Sequence, residues 1–170
     1  EEDKQITYSN LQNSSKVVGS YFAEQKVFNE PILVFMDKGI DTLITFFFFF
    51  YAGCYYSLIN PELPENRINQ IKNVTGARFV VTDDEHQELA STYFKDIQVK
   101  NVKKLKQGNL NEAALLEARI NHIDYDPLYV NFTSGSTGVP KGVVISHRSV
   151  IDFIDKFTEI FHFHENERIA

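Results

Sequence analysis

Tryptophan is absent from this chain, and cysteine and methionine occur once each. The single cysteine, Cys54, excludes an internal disulfide and is consistent with a reducing, cytoplasmic setting. An excess of positive charge is also missing: 17 Lys and Arg face 23 Asp and Glu, for a formal net charge of −6. With no basic stripe, nucleic acid is not an expected partner, and a polyanionic ligand needs a local site with a metal counterion. No internal repeat is visible. No secretory signal opens the chain, so the Asn-x-Ser/Thr triplets starting at Asn13, Asn73 and Asn131 carry little weight.

What is present is apolar and aromatic. Hydrophobic residues make up 43% of 170 residues, with 15 Phe and 8 Tyr, so the chain is globular rather than disordered. Its length suits one domain or one and a half and buries about 70% of the unfolded surface. The chain starts without Met and stops just after Glu165-Asn-Glu-Arg168, and is read as an excised piece of something longer.

Only one stretch approaches a membrane span. Thr42 to Pro61 holds no charged residue and includes five consecutive phenylalanines, Phe46 to Phe50. About 20 apolar residues suffice to cross a bilayer. Gly53 interrupts the run, however, Tyr55, Tyr56, Ser57 and Asn60 suit mid-membrane poorly, and Asp41 and Glu62 press on its ends. The favoured reading is a buried helix followed by a buried strand, with no membrane partner.

Around that block, strand and helix patterns alternate. Ile6 to Leu11 reads as a short strand and a cap at Ser9, followed by a helix of about four turns carrying Leu11, Val18 and Phe22. Ile32 to Phe35 is a buried strand. Pro64 and Glu65 open a helix with an apolar stripe of Ile68, Ile71 and Val74, stopped at Gly76. Arg78 to Thr82 is the next strand, and Glu85 to Phe94 a helix. Lys95 to Gln107, with five lysines, reads as a solvated edge strand. Asn111 to Asn121 is a short helix. Ser146 caps a last helix whose buried face is Val150, Ile154, Phe157 and Phe161. The alternation implies an α/β fold: a doubly wound, mostly parallel sheet with helices on both faces.

The chemistry concentrates between Leu128 and Ile145. A β-prone strand runs into Thr133-Ser-Gly-Ser-Thr-Gly-Val-Pro-Lys-Gly142, and a second strand follows. Gly135 and Gly138 let the backbone approach a ligand closely. Backbone N–H groups and the hydroxyls of Thr133, Ser134, Ser136 and Thr137 can donate to phosphate oxygens, and Lys141 binds phosphate as a point charge. The spacing is not a Walker A loop, because Pro140 stands where that motif needs its second glycine. A flexible Ser/Gly surface turn is the bland alternative, and the flanking strands and the Pro-Lys-Gly ending argue against it. His147 and Arg148 could lie near a nucleotide or be ordinary surface residues. His162 and His164 lack a third ligand nearby, so no metal ligand is assigned.

The Thr133–Gly142 stretch resembles the signature loop of the adenylate-forming enzymes: acyl-CoA synthetases, luciferases and the adenylation domains of nonribosomal peptide synthetases. The resemblance covers nearly the whole chain. Ile6-Thr-Tyr-Ser-Asn-Leu11 is similar to the family's Leu-Thr-Tyr-x-Glu-Leu, and Tyr51-Ala-Gly-Cys-Tyr-Tyr-Ser-Leu-Ile-Asn-Pro61 to its Lys-Ala-Gly-x-x-Tyr-Val-Pro-Ile-Asp-Pro. Departures are Tyr51 for Lys, Ser57-Leu58 for Val-Pro and Asn60 for Asp, all outside the loop. Pro64-Glu-Asn-Arg-Ile68 and His147, matching Val-x-x-x-His, favour amino-acid-activating members. The resemblance implies the N-terminal portion of the large domain, roughly its first third. It also implies ATP and Mg²⁺, transfer of the adenylate to a phosphopantetheine thiol on a carrier protein, and a loop of Thr133, Ser134, Gly135, Ser136, Thr137, Gly138 and catalytic Lys141 on the phosphates. The Mg²⁺ ligands, the adenine pocket and a mobile lysine belong later in the family's chain, so the 170 residues alone are expected to be inactive. An acyl-CoA-type ligase of a fatty or aryl acid and a noncatalytic ATP-binding module are the alternatives.

Overall fold

A computed structural model describes residues 5–133 and 139–162. Its first helix, α1 (Tyr8–Glu24), starts one residue after Thr7, whose hydroxyl accepts from the Asn10 N–H at 3.2 Å. The strand expected at Ile6 is therefore absent, and Thr7 rather than Ser9 is the cap. Extended Thr7 already holds its oxygen over the first free N–H groups, while Ile6 packs against the core from outside the sheet.

The chain continues as β1 (Pro31–Phe35), α2 (Ile40–Ala52), β2 (Tyr55–Ile59), α3 (Glu65–Thr75), β3 (Phe79–Thr82), α4 (Gln87–Tyr93), β4 (Gln98–Asn101), α5 (Val102–Leu105), α6 (Glu112–Ile120), β5 (Pro127–Thr133), β6 (Lys141–Ser146) and α7 (His147–Phe161). The sheet order is β4-β3-β1-β2-β5-β6; the first five strands are parallel neighbours and β6 is antiparallel to β5. The chain steps from β1 to β2 on one side, then crosses to put β3 on the other. This doubly wound, mostly parallel sheet is the expected fold class.

Strand alternation sorts the core into two layers. Ile32, Val34, Phe79 and Val81 face α1 and α2, packing with Phe22, Phe48 and Phe49. Leu33, Phe35 and Val80 face α3 and α4, packing with Ile68, Ile71, Ala90 and Phe94. Phe22 and Phe48 stack at 4.8 Å between ring centroids. Gly53 and Gly76 end α2 and α3 in the left-handed conformation, at φ 67° and 64°.

The phenylalanine run is split by helix geometry. Phe48 and Phe49 are fully buried and Phe46 stacks on Tyr56 at 4.6 Å, while Phe47 and Phe50 are 42% and 45% exposed. Among the described residues no helix is long and apolar enough to cross a membrane. Val74 is half exposed, because each three-residue step turns about 60° around the axis and carries it off the face of Ile68 and Ile71. The lysine-rich segment is more structured than a plain edge strand. It adds α5, pairs Lys103 with Asp84 at 2.6 Å and Lys106 with Asp41 at 2.5 Å, and lays Lys100 over Tyr21. On α7, Ser146 caps as expected, its hydroxyl accepting from the Ser149 N–H. The expected burial of Val150, Ile154, Phe157 and Phe161 is not found, since no residue of α7 is buried. Val150 and Phe157 are partly covered, while Ile154 and Phe161 are 50% and 58% exposed.

Candidate phosphate-binding site

The site is built on a hairpin stem. In the β5–β6 ladder Thr133 pairs with Lys141, Phe132 with Gly142 and Asn131 with Val143. The hairpin therefore closes on the hydroxyl and the ammonium that bracket the loop. Ser134, Gly135, Ser136, Thr137 and Gly138 lie outside the described residues. Pro140 is buried, Thr133 and Lys141 are exposed, and Lys141 has no hydrogen-bond or ion-pair partner among the described residues.

Gly142 is tightly fitted. A Cβ there would stand 3.0 Å from Val130 Cγ1 and 3.2 Å from Phe132 Cε1. Phe132 in turn packs against the α3–α4 core layer, so the glycine lets the stem lean on the rigid half of the sheet. A second cation arrives from α3: Arg67 Nη2 donates to the Thr133 carbonyl at 3.0 Å. The Pro64–Ile68 pattern marked this segment, but a contact spanning 66 residues has no local signature. Hydroxyl, guanidinium and ammonium together suit phosphate oxygens and offer a divalent cation no carboxylate or imidazole. Among the described residues the one trio of close potential metal ligands, Asp37, Glu85 and His86, follows β1 and β3, on the far side of β2 from β5.

His147 and Arg148 sit at the opposite end of β6 from Lys141, six residues or roughly 20 Å along an extended strand. Both are engaged there. His147 Nε2 faces His122 Nε2 at 2.9 Å, and His122 Nδ1 meets the Asp126 carboxylate at 2.9 Å. Burial and the neighbouring His122 lower the pKa of His147, opposed by Asp126. Arg148 bridges Asp124 at 3.3 Å and Asp152 at 3.2 Å. Both side chains thus have partners at this end of the hairpin, away from Lys141. Cys54 is buried, and burial pushes its thiol well above the ordinary range, which disfavours the thiolate.

The family model of the AMP-binding enzymes matches residues 1–170. The chain belongs to that family. It is 31% identical over 154 residues to the PKS-NRPS hybrid synthetase acdB of Aspergillus candidus, covering 89% of this chain and 6% of that protein. It is also 31% identical over 159 residues to a D-alanine–D-alanyl carrier protein ligase of Lacticaseibacillus rhamnosus, covering 91% of this chain and 30% of the ligase. Among solved structures, the nonribosomal peptide synthetase FmoA3, in a form bound to α-methyl-L-serine-AMP, superposes with a TM-score of 0.77 at 23% identity. That match covers 94% of this chain and 17% of FmoA3. The chain thus spans no more than 30% of the length of either curated relative, and the AMP-binding family scaffold carries the hairpin described above.

Proposed function

We propose that this chain is the N-terminal part of a cytoplasmic adenylation domain that activates a carboxylic acid, most specifically an amino acid, with ATP and Mg²⁺. A carboxylate oxygen attacks the α-phosphorus, the bond to the bridging oxygen breaks, and pyrophosphate leaves. A carrier-protein thiol then attacks the acyl carbon of the adenylate and AMP leaves. The observation that carries this reading is the stem: Thr133 and Lys141 face each other across the mouth of a hydroxyl- and glycine-rich loop on the AMP-binding family scaffold. Loop donors hold the β- and γ-phosphates. Negative charge grows on the pyrophosphate as the α–β bond breaks, so an ammonium at Lys141 stabilises the transition state more than the ground state. Mg²⁺ adds charge neutralisation when bound; Thr133, Arg67 and Lys141 offer it no anionic ligand, so its ligands lie elsewhere in the domain.

The test is ATP–pyrophosphate exchange by the intact parent protein across a panel of amino, fatty and aryl acids. Exchange with an amino acid supports the reading, and exchange only with fatty or aryl acids moves the protein to the acyl-ligase class. No exchange with any acid leaves a noncatalytic nucleotide-binding module. Lys141→Ala removes one charge-assisted contact of about 1.5–3 kcal/mol, a ten- to hundred-fold loss of kcat/KM for ATP by rough conversion. Wild-type kinetics in that variant would show that the lysine has no phosphate role.

A further inference from the structure

The end of the hairpin away from the loop is fastened by groups that the phosphate reading does not use. β6 is an edge strand, exposed along most of its length, and α7 after it buries nothing. The β5–β6 ladder is irregular at that end, with a register shift between Pro127 and Tyr129. Two backbone bonds cross there: the His147 N–H donates to the Asp126 carbonyl at 3.2 Å and the Arg148 N–H to the Asp124 carbonyl at 2.7 Å. Beside them runs the chain Asp126–His122–His147. The Asp126 carboxylate also accepts from the Ile123 N–H at 2.9 Å, and the Phe50 ring stands edge-on to His147 at 5.4 Å.

We infer that His122, His147 and Asp126 are positioning residues for the phosphate loop. One proton shared between the two facing imidazoles braces the far end of the hairpin and thereby keeps Lys141 opposite Thr133. This rests on the phosphate reading above. With His122 Nδ1 held by the carboxylate, a neutral His122 presents a lone pair at Nε2 and accepts from His147 Nε2–H; a charged His122 donates instead. Either way there is room for one proton on the Nε2–Nε2 line. A second sets two cations 2.9 Å apart and breaks the contact.

The surrounding charges do not cancel that repulsion. Asp126 favours the cation, but Asp124 is engaged by Arg148, which also binds Asp152, and Glu112 by Lys16. Arg119 adds positive charge to the same groove. Because His147 takes up a proton less readily folded than unfolded, the brace is intact above the ordinary histidine value of 6.5 and is lost as pH falls below it.

The amides of His147 and Arg148 report the brace directly. Their hydrogen exchange is measured in the whole chain, corrected for intrinsic rates, while the pH is lowered from about 7.5 to about 5.5. Protection is expected to fall about tenfold per pH unit where one extra proton is taken up on opening. His122→Gln keeps a hydrogen-bonding group without a second charge and should flatten the response. In the intact parent it should also shift the acid limb of kcat/KM for ATP to lower pH. His122→Phe should lose protection at every pH. The brace is refuted if His122→Gln retains the wild-type pH response, and its positioning role if both variants keep wild-type pH–rate profiles. Failure of the phosphate reading looks different: Lys141→Ala would leave ATP kinetics unchanged while the amide response persisted.

Discussion

The sheet carries two regions built to different standards. At β1 and β3 both faces are covered by helices, and Ile32, Leu33, Val34 and Phe35 are all fully buried. From β6 onward coverage fails: Val143 and Val144 are 48% and 56% exposed, and no residue of α7 is buried. Yet the candidate phosphate site lies in the second region. The difference teaches how a loop can be accurately placed on a thin support. Phe132 leans on the α3–α4 layer across Gly142, Arg67 reaches from α3 to the Thr133 carbonyl, and the histidine brace closes the other end. Precision is borrowed from the packed region through a few long-range contacts.

The largest effect that would sharpen this contrast lies within the phenylalanine run. Phe48→Ala removes a fully buried ring stacked on Phe22 and should destabilise by about 3–5 kcal/mol. Its neighbour Phe47→Ala, on the exposed side, should cost about 0.5 kcal/mol or less. Equal losses in chemical denaturation would show that the run is not divided between core and surface as described. Next comes Gly142→Val. The added carbons press on Val130 and Phe132, so a loss of about 1–3 kcal/mol is expected. A further drop in pyrophosphate exchange by the parent should follow as the stem is displaced. Full stability and full exchange together would mean that the stem does not need its glycine.

How much of this was legible in the sequence follows the same division. The strand at Ile32 to Phe35, Gly76 as a helix stop and the cap at Ser146 are local signals, carried within a few residues. Arg67 on Thr133 and His122 on His147 were not legible, because chain pairing 66 and 25 residues apart has no periodicity to reveal it. The misjudged face of α7 has another cause. Apolar periodicity states that a helix has a face to cover, not which segment covers it. The lysine-rich segment was legible in part: β4 is the expected edge strand, but composition does not report the acidic partners of Lys103 and Lys106, Asp84 after β3 and Asp41 in α2.

Smaller effects test the thin region from its surface. Phe153→Lys on α7 should change folding stability by about 0.5 kcal/mol or less, since the ring is 64% exposed. It should instead lower self-association of the chain in sedimentation velocity, because exposed apolar patches drive association. A marked loss of stability would show that α7 is packed after all. Smallest of all, Lys104→Ala should be close to neutral in thermal melting, within about 0.5 kcal/mol. A large effect there would make the lysine-rich edge part of the core's support.

Cys54 supplies a built-in timer for this two-part architecture. The residue is 1% exposed, sealed into the layer of Phe22, Phe48 and Phe79, and its thiolate is disfavoured while it stays there. A thiol-directed reagent can reach it only when that layer parts, so the labelling rate counts openings of the packed region one molecule at a time. As the sequence's only cysteine, it gives a mass shift with a single origin. Slow labelling beside fast deuterium uptake in β6 would mean that the loop's support can come and go while the rest of the sheet stays shut.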